Sequence, residues 1–413
     1  MGVVAPGARL GSAPWILMAG IAVVGTPSLV LAPVLTDVAT SLGTGPAAVG
    51  RAAGAYGIAT ALSALALGRL VDALPRTRVL QVAGAGLALG LLLCAAAPSW
   101  GVLAAGQVVA GLAAGVVLPV TYALAAEGAP AGAQARVLGR VLLGWSVALV
   151  VVVPLAAALT DVAGWRTTFL VLAGAAAAQV GLLGRLPAAP PRPAGAPARY
   201  RDALGRPGVR ALLLVVLAYM AAFYGTYAYL GDHVRAVHDG GAGIAALVPL
   251  AYGLGFGAAG LLDARIDRTG PARLLLPTVL GLAGLYASLP AAARSVPVLL
   301  AVCAVWGLVN HAGLGMLVTL LGERGGTARG PVLALYSTAT YLAAAVGTAA
   351  LGPLYERRGI LSVTLAAGAG LLVAALPAAR VRTGRAPAPE ATGTADADGP
   401  APRREPGRRV EQD

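Results

Sequence analysis

The chain has 413 residues, of which 58% are hydrophobic and 11% charged, and its mean hydropathy is +0.79. A soluble globular domain carries about 25% charged residues, so this composition excludes an ordinary soluble protein. The formal charge of +13 does not indicate nucleic-acid binding, because the 30 basic residues, all arginine, lie between apolar stretches and in the terminal segments instead of on one solvated face.

Twelve apolar stretches follow one another along the chain. Each is close to the roughly 20 residues that a helix needs to cross a bilayer. The stretches do not alternate polar and apolar residues, and backbone groups in lipid must pair within their own segment, so we expect helices. The sequence predicts an all-α integral membrane protein with twelve transmembrane helices in two six-helix bundles. The predicted spans are 14–36, 47–68, 78–97, 101–126, 137–159, 166–186, 209–231, 243–262, 274–293, 297–321, 331–352 and 359–377.

A polar, proline-rich segment divides these spans six and six. It contains Pro190, Pro191, Pro193 and Pro197 together with several arginines, which is typical of a linker. The last residues are rich in alanine, proline, glycine, arginine and acidic residues and cannot build a core, so we expect disorder there. The predicted segments are a cytoplasmic N-terminus 1–13, bundles 14–186 and 209–377, a cytoplasmic linker 187–208 and a disordered cytoplasmic tail 378–413.

The distribution of arginine predicts the orientation of the chain in the membrane. With both termini in the cytoplasm, 24 of the 30 arginines fall on the cytoplasmic side, as the positive-inside rule requires. The alanine, glycine, proline and arginine content favours a bacterial source, hence the bacterial inner (plasma) membrane. The six arginines expected outside are Arg51, Arg166, Arg235, Arg294, Arg357 and Arg358.

The two halves resemble each other in sequence. A shift of 195 residues places Asp72 on Asp267 and Arg78 on Arg273, and it superimposes the first span on the seventh. Parallel repeats related by an axis along the membrane normal are one architecture of membrane transporters.

Several motifs resemble the major facilitator superfamily over about 360 residues. The loop after span 2, Gly68 to Arg78, is similar to the family's loop signature of glycine, aspartate and an arginine cluster, and a second version runs from Asp263 to Arg273 after span 8. Segments 25–33 and 164–169 resemble the twelve-helix sugar and drug efflux branch, which includes drug:proton antiporters. The resemblance implies a secondary transporter with a central cavity between two bundles.

The resemblance also implies a conformational latch between the halves on the cytoplasmic side. In the family, contacts of the loop carboxylates and arginines hold that side closed while the carrier faces out. The alternative is that these arginines only set the orientation of the chain. The latch candidates are Gly68, Asp72, Arg76, Arg78, Asp267, Arg268 and Arg273.

Polar side chains inside the apolar spans predict the substrate site. Asn310 and His311 lie near the middle of span 10, and an intramembrane ionisable residue is by default a functional candidate. His311 is the candidate proton relay, and the alternative is a neutral histidine bonded to another helix. Tyrosine offers an apolar face and one hydroxyl, which suits an amphipathic ligand, although an interfacial aromatic belt is the alternative. The predicted substrate-binding residues are Thr26, Tyr56, Gln107, Tyr224, Tyr252, Asn310, His311, Tyr336 and Tyr341.

The sequence does not predict an enzyme, a cofactor or a metal centre. A nucleotide-binding P-loop requires lysine, which the chain lacks. His233 and His238 stand beside acidic residues in a predicted outer loop after span 7, and a solvated loop is the favoured interpretation over a weak metal site.

The sequence thus predicts a carrier that exports a small amphipathic organic molecule, such as a drug, sugar or secondary metabolite, by alternating access. We expect proton coupling, a monomer, and contact with a lipid bilayer and a small-molecule substrate. One alternative is an uptake or facilitative carrier, because Gln107 stands where many drug:proton antiporters carry arginine. The other is a membrane receptor or scaffold that does not transport.

Overall fold

The computed structural model describes residues 12–66, 74–129, 134–186 and 200–383. Nearly all of these residues are helical, and the described part contains no β-strand. Nine stretches in it are long and apolar enough to cross a membrane, and the last of them, Val296–Val381, contains three helices. Together with the less apolar helix Pro46–Ala66, the described residues form twelve crossing helices in two groups of six, which confirms the predicted fold class.

The first six helices form the N-terminal bundle. In this bundle α3 packs against α4 and α6, α2 packs against α4, and α1 packs against α5. Their bounds are Ala13–Gly25 with Pro27–Val30 and Leu35–Ser41 (α1), Pro46–Ala66 (α2), Arg76–Ala95 (α3), Trp100–Glu127 (α4), Gln134–Val147 with Ala148–Val152 and Val153–Ala163 (α5), and Trp165–Leu183 (α6).

The other six form the C-terminal bundle, preceded by the short helix Tyr200–Gly205. Two of them form one continuous stretch, Arg329–Thr383, which is divided at Gly359. Gly359 has a φ of +69°, a conformation that glycine adopts without a steric penalty. The bounds are Val209–His238 (α7), Ala242–Ala245 with Leu247–Ala258 and Ala259–Leu262 (α8), Pro271–Ala292 (α9), Val296–Gly325 (α10), 329–358 (α11) and 360–383 (α12).

The even number of crossings places both ends of the described chain on one side of the membrane. We call this the near side, where α1 begins and α12 ends, and the opposite side the far side. Odd-numbered helices therefore run from the near side to the far side, and even-numbered helices run back.

Two prolines interrupt regular helices near the middle of the membrane. Pro27 follows the first segment of α1, and Pro154 follows the π-helical turn Ala148–Val152 of α5. Proline has no backbone N–H and cannot continue the hydrogen-bond ladder, which accounts for both irregularities. Both interruptions therefore lie in helices that pack against each other, α1 and α5.

Several helices extend beyond their predicted spans on the far side. The spans for α7 and α11 were expected to end at 231 and 352, whereas these helices continue to 238 and 358. The prediction that His233 and His238 lie in an outer loop is therefore wrong. Both belong to α7, and His238 donates from Nε2 to the carbonyl oxygen of Ala293 at 2.9 Å.

The near-side segments that were predicted to be irregular are described only in part. Helix Tyr200–Gly205 falls within the predicted linker, and α12 continues to Thr383, past the expected end at 377. The rest of the linker and tail lies outside the described residues.

Candidate functional site

An ion pair joins α1 to α7 across the boundary between the two bundles on the far side. The guanidinium of Arg235 donates to both carboxylate oxygens of Asp37, with N···O distances of 2.5 and 3.1 Å. It also donates to the carbonyl oxygen of Pro33 at 3.4 Å. The side chains of Arg235 and Asp37 are 13% and 30% exposed, so water screens this pair less than a pair on an open surface.

A second carboxylate, Asp232 of α7, receives hydrogen bonds from two other helices. Thr36 of α1 donates its hydroxyl to one oxygen of Asp232, and Tyr355 of α11 donates to the other at 2.5 Å. Because Thr36 belongs to the other bundle, this carboxylate also holds the bundles together.

Two further carboxylates bridge the bundles through backbone N–H groups. Glu356 of α11 accepts from the N–H of Ala47 at the start of α2, at 2.9 Å. Asp161 of α5 accepts from the N–H groups of Ala242 and Gly243 at the start of α8, at 2.6 Å each. We call the whole set the far-side lock, which consists of Asp37, Asp161, Asp232, Arg235 and Glu356.

Below the far-side lock, α2 and α11 are in backbone contact. A Cβ atom added at Gly57 would lie 2.7 Å from the carbonyl oxygen of Tyr341, and one at Gly54 would lie 3.2 Å from that of Ala345. Small residues permit such close approach between membrane helices. The boundary between the bundles is therefore closed from the far side to about the middle of the membrane.

The near-side half of α11 is packed less tightly than its far-side half. Eight of the ten residues 331–340 are partly exposed, whereas seven of the twelve residues 341–352 are buried. The near-side half also carries a polar run that includes Tyr336, Ser337 and Thr338. The near-side half of α11 is therefore packed less closely against its neighbours, and its partly exposed side chains include polar ones.

Tyrosines from both bundles lie close to one another beside α11. The side chain of Tyr341 lies in the neighbourhood of those of Tyr56, Tyr122, Tyr224 and Tyr336. Four of these five residues were predicted as site residues, and Tyr122 was not. The structure thus brings side chains of α2, α4, α7 and α11 to one place.

These tyrosines are held by partners on neighbouring helices. Tyr56 donates to the carbonyl oxygen of Val24 at 2.8 Å, beside the break in α1. Tyr224 faces the hydroxyl of Ser28 in the other bundle. A cavity of about 10 Å³ lies next to Ser28, Tyr224 and Tyr227, which is room for about one water molecule. The bundles are therefore nearly in contact at this level.

A second polar group lies within the C-terminal bundle. Asn310 of α10 donates from Nδ2 to the hydroxyl of Tyr252 on α8 at 2.5 Å. Tyr219 of α7 donates to the backbone carbonyl oxygen of Asn310 at 3.0 Å. These bonds link three helices, and they bring together the predicted residues Asn310 and Tyr252 with Tyr219, which was not among the predicted residues.

Aromatic rings surround this group. Phe223 stacks on Tyr252 with ring centroids 5.1 Å apart, and Trp306 meets Tyr252 edge-on at 5.0 Å. The ring of His311 lies 4.2 Å from that of Phe256, and both side chains are partly exposed. His311 therefore lies at an aromatic surface of the C-terminal bundle.

The structure places two predicted site residues away from these groups. The hydroxyl of Thr26 donates to the carbonyl oxygen of Ala22 on its own helix at 2.7 Å and is fully buried. Gln107 points from α4 toward α3, where its Nε2 lies 3.6 Å from the sulfur of Cys94. Hydropathy places a residue at a depth in the membrane but does not give the rotation of its helix, which decides what the side chain contacts.

The structure describes five of the seven predicted latch residues. Gly68 and Asp72 lie outside the described residues. Arg76 pairs with Glu127 of its own bundle at 2.6 Å. The remaining candidates are exposed on the near side, namely Arg78, Asp267, Arg268 and Arg273.

The far-side lock was missed by the analysis of the sequence. Its members lie at or beyond the ends of apolar spans, where charged residues are common and carry no signal of their own. A usable signal is that Asp232 and Arg235 follow span 7 with helical spacing, while Asp37 follows span 1, the equivalent span of the other half.

The buried amide of Gln107 predicts how its replacement changes the stability of the protein. Its Oε1 atom is buried without a hydrogen-bond partner among the described residues, and such an acceptor costs about 1–3 kcal/mol. We expect Gln107→Leu to keep or raise the melting temperature of the purified protein. As a matched control, Gln179→Leu should lower it, because the Nε2 of Gln179 donates to the carbonyl oxygen of Ile16 at 2.7 Å. A lower melting temperature for Gln107→Leu alone would contradict this account.

The sequence matches the model of one known protein family. The model of the Major Facilitator Superfamily matches residues 17–348. An uncharacterized MFS-type transporter of Bacillus subtilis, YwfA, is 31% identical over 362 residues, which cover 84% of this chain and 87% of the relative. A chloramphenicol efflux pump of Mycobacterium tuberculosis is 31% identical over 360 residues, covering 83% and 85%. A probable sugar efflux transporter of Helicobacter pylori is 28% identical over 242 residues, covering 58% and 62%.

The fold is also similar to a solved structure. A bacterial homolog of the human lysosomal transporter Spinster, in an inward-facing and unoccupied conformation, superimposes with a TM-score of 0.74. The match covers 91% of this chain and 98% of that chain at 14% sequence identity. At this identity the likeness concerns the fold alone.

Proposed function

Because the chain belongs to the major facilitator superfamily and is therefore a multi-pass membrane transporter, we propose that it exports a small amphipathic organic molecule by alternating access. The observation that carries the proposal is the asymmetry of the boundary between the bundles. Four carboxylates close it on the far side, and partly exposed polar residues of α11 border it on the near side. Such a carrier binds its substrate from the near side and releases it after the far side opens.

The proposed direction depends on which side is cytoplasmic. The arginine distribution supports a cytoplasmic near side, because 24 of the 30 arginines belong to the segments that the sequence predicts to be cytoplasmic. Efflux relatives, one named for chloramphenicol and others for sugars, support export of an organic molecule. The tyrosines around Tyr341, together with Asn310 and Tyr252, form the proposed binding surface, since they combine apolar area with a few hydrogen-bonding groups.

The far-side lock has a proposed counterpart on the near side. When the far side opens, the near-side ends of the two bundles approach each other. The loop that contains Gly68 and Asp72 is the proposed latch that closes them, together with the exposed Arg78, Asp267, Arg268 and Arg273. Arg76, which pairs with Glu127 of its own bundle, is the remaining candidate for this latch.

Proton coupling is the proposed driving force, with His311 as the candidate relay. It is the ionisable side chain nearest the centre of span 10, and its ring is partly exposed beside Phe256. Histidine is the side chain that most often carries protons in proton-relay sites, which is why this residue is the candidate.

The transport proposal is tested with purified protein in proteoliposomes. We expect an imposed pH gradient to drive uptake of labelled chloramphenicol, or of another uncharged aromatic compound or sugar in a panel, at least fivefold above protein-free liposomes. Flux that follows the substrate gradient regardless of pH would select a facilitative carrier instead. Absence of flux for every compound would favour a receptor or scaffold.

Coupling is tested in the same liposomes. We expect His311→Ala to lower pH-driven flux at least tenfold while leaving exchange without a gradient measurable. Gln107→Ala is the comparison, because Gln107 faces α3. Unchanged gradient-driven flux in His311→Ala would remove this residue from the coupling mechanism.

A further inference from the structure

The middle of the membrane carries no fixed charge in any of the twelve spans. The sequence places every arginine, aspartate and glutamate toward the ends of the spans, in loops or in the terminal segments. The far-side lock is the set of charges that joins the bundles, and its members pair with one another or with groups at that end of the molecule. A ligand that reaches the tyrosines around Tyr341 meets hydroxyls and aromatic faces.

This arrangement penalises a charged ligand. A full charge that leaves water loses its hydration, and it is tolerated in low dielectric only when an opposite charge or several hydrogen bonds replace that hydration. Tyrosine hydroxyls and aromatic faces replace only part of the hydration that a cation loses, and they supply no opposite charge. A neutral molecule loses much less when it enters the same place.

We propose that the carrier binds an uncharged aromatic compound whose hydrogen-bond donor is accepted by Oδ1 of Asn310, against the aromatic surface of the C-terminal bundle. The proposal rests on the function proposed above and specifies its substrate class and the bundle that recognises it. It follows from the chemistry of the side chains on α7, α8 and α10.

Asn310 presents one unused acceptor. Its Nδ2 donates to Tyr252, and its backbone carbonyl accepts from Tyr219, so the residue is held from two sides. Its Oδ1 is buried without a hydrogen-bond partner among the described residues, and the residue is 1% exposed. A buried acceptor that lacks a partner is unfavourable, and a ligand O–H or N–H that reaches it removes the penalty.

The neighbouring rings provide the apolar part of the proposed site. Tyr252, the partner of Asn310, stacks on Phe223 and touches Trp306 edge-on, and these three buried rings support the site from behind. The next residue, His311, lies against Phe256, and both side chains are partly exposed. An aromatic ring that packs on this pair gains stacking or edge contacts.

The test uses four naphthalene derivatives of similar size that differ in their polar group. They are 2-naphthalenemethanol, its methyl ether, 2-naphthylmethylammonium and 2-naphthoate. Binding of tritiated 2-naphthalenemethanol to the full chain in lipid nanodiscs is measured at pH 7.5, with the other three as competitors. We expect the ether to bind at least fivefold more weakly than the alcohol, and both ions at least fiftyfold more weakly.

A substitution at Asn310 is expected to change which of the four compounds binds most tightly. Asn310→Asp supplies a carboxyl group of nearly the same shape, so we expect the ammonium compound to bind at least tenfold more tightly than to the original protein. Gln179→Glu is the matched control, because it also replaces a buried amide by a carboxyl, but in the N-terminal bundle beside Ile16. It should keep the original order of affinities.

The outcomes separate this inference from the proposed function. Ions that bind as tightly as the alcohol, an unchanged order in Asn310→Asp, or no binding of any of the four compounds at 5 mM would each overturn it. Because binding is measured without a gradient or a direction, failure of pH-driven export leaves this result standing. Conversely, export of an organic cation by the original protein would support a transporter and overturn the uncharged class.

Discussion

Arg235→Ala is expected to shift the carrier toward a state that is open on the far side. The substitution removes both hydrogen bonds to Asp37 and the contact with the carbonyl oxygen of Pro33. Asp37 is then left partly buried without its cation, which is less favourable than its removal. For a pair that retains some exposure we expect a change of about 1–2 kcal/mol, hence a population ratio altered roughly 5- to 30-fold.

The change is measured by labelling from the far side. Ala53→Cys places a thiol at the small cavity between the bundles, on the near side of the far-side lock. A membrane-impermeant maleimide added to intact cells should react at least fivefold faster when Arg235→Ala is also present. The native Cys94 and Cys303 are buried and provide the background rate.

Two controls make this result specific. Arg294→Ala removes another far-side arginine, which is exposed and does not belong to the far-side lock, and it should leave the labelling rate unchanged. The double variant Asp37→Arg with Arg235→Asp reverses the pair and should restore much of the original rate. Equal labelling rates in Arg235→Ala and Arg294→Ala would mean that the ion pair does not hold the far side closed.

The fold could be predicted from the sequence because lipid imposes a simple rule. Twenty apolar residues mark a crossing, and the chain repeats this pattern twelve times. The positions at which the helices end on the far side were harder to predict from the sequence. Residues such as His233 and Tyr355 are polar and are typical of loops by composition. They nevertheless continue α7 and α11, where Asp232 receives hydrogen bonds from Thr36 and Tyr355.

The candidate site could be predicted in part. Tyr56, Tyr224, Tyr336 and Tyr341 come together because tyrosines in membrane helices tend to turn their hydroxyls toward polar neighbours and not toward lipid. Thr26 and Gln107 do not join them, since one bonds to its own helix and the other faces α3. Helix rotation is fixed by packing between helices, which a single sequence does not reveal.

The contact between α8 and α10 determines where Tyr252 and Asn310 lie. A Cβ atom added at Gly307 would be 1.9 Å from the carbonyl oxygen of Tyr252 and 2.8 Å from the backbone nitrogen of Phe256. Backbone atoms cannot rotate away from such a clash as a side chain can. Glycine at this position therefore sets the distance at which Asn310 reaches Tyr252.

Gly307→Ala is accordingly expected to force α8 and α10 apart. Overpacking of this kind costs about 1–3 kcal/mol, so we expect the melting temperature of the purified protein to fall by roughly 3 °C or more. Binding of an aromatic ligand should weaken at least tenfold, because the hydrogen bond between Asn310 and Tyr252 is broken or lengthened.

Gly315→Ala on the same helix is the matched control, since a Cβ there meets no heavy atom within 4 Å. Alanine also favours a helix over glycine by about 1 kcal/mol, so Gly315→Ala should be at least as stable as the original protein. Equal stability and equal binding in the two variants would show that the close approach of α8 and α10 does not position the site.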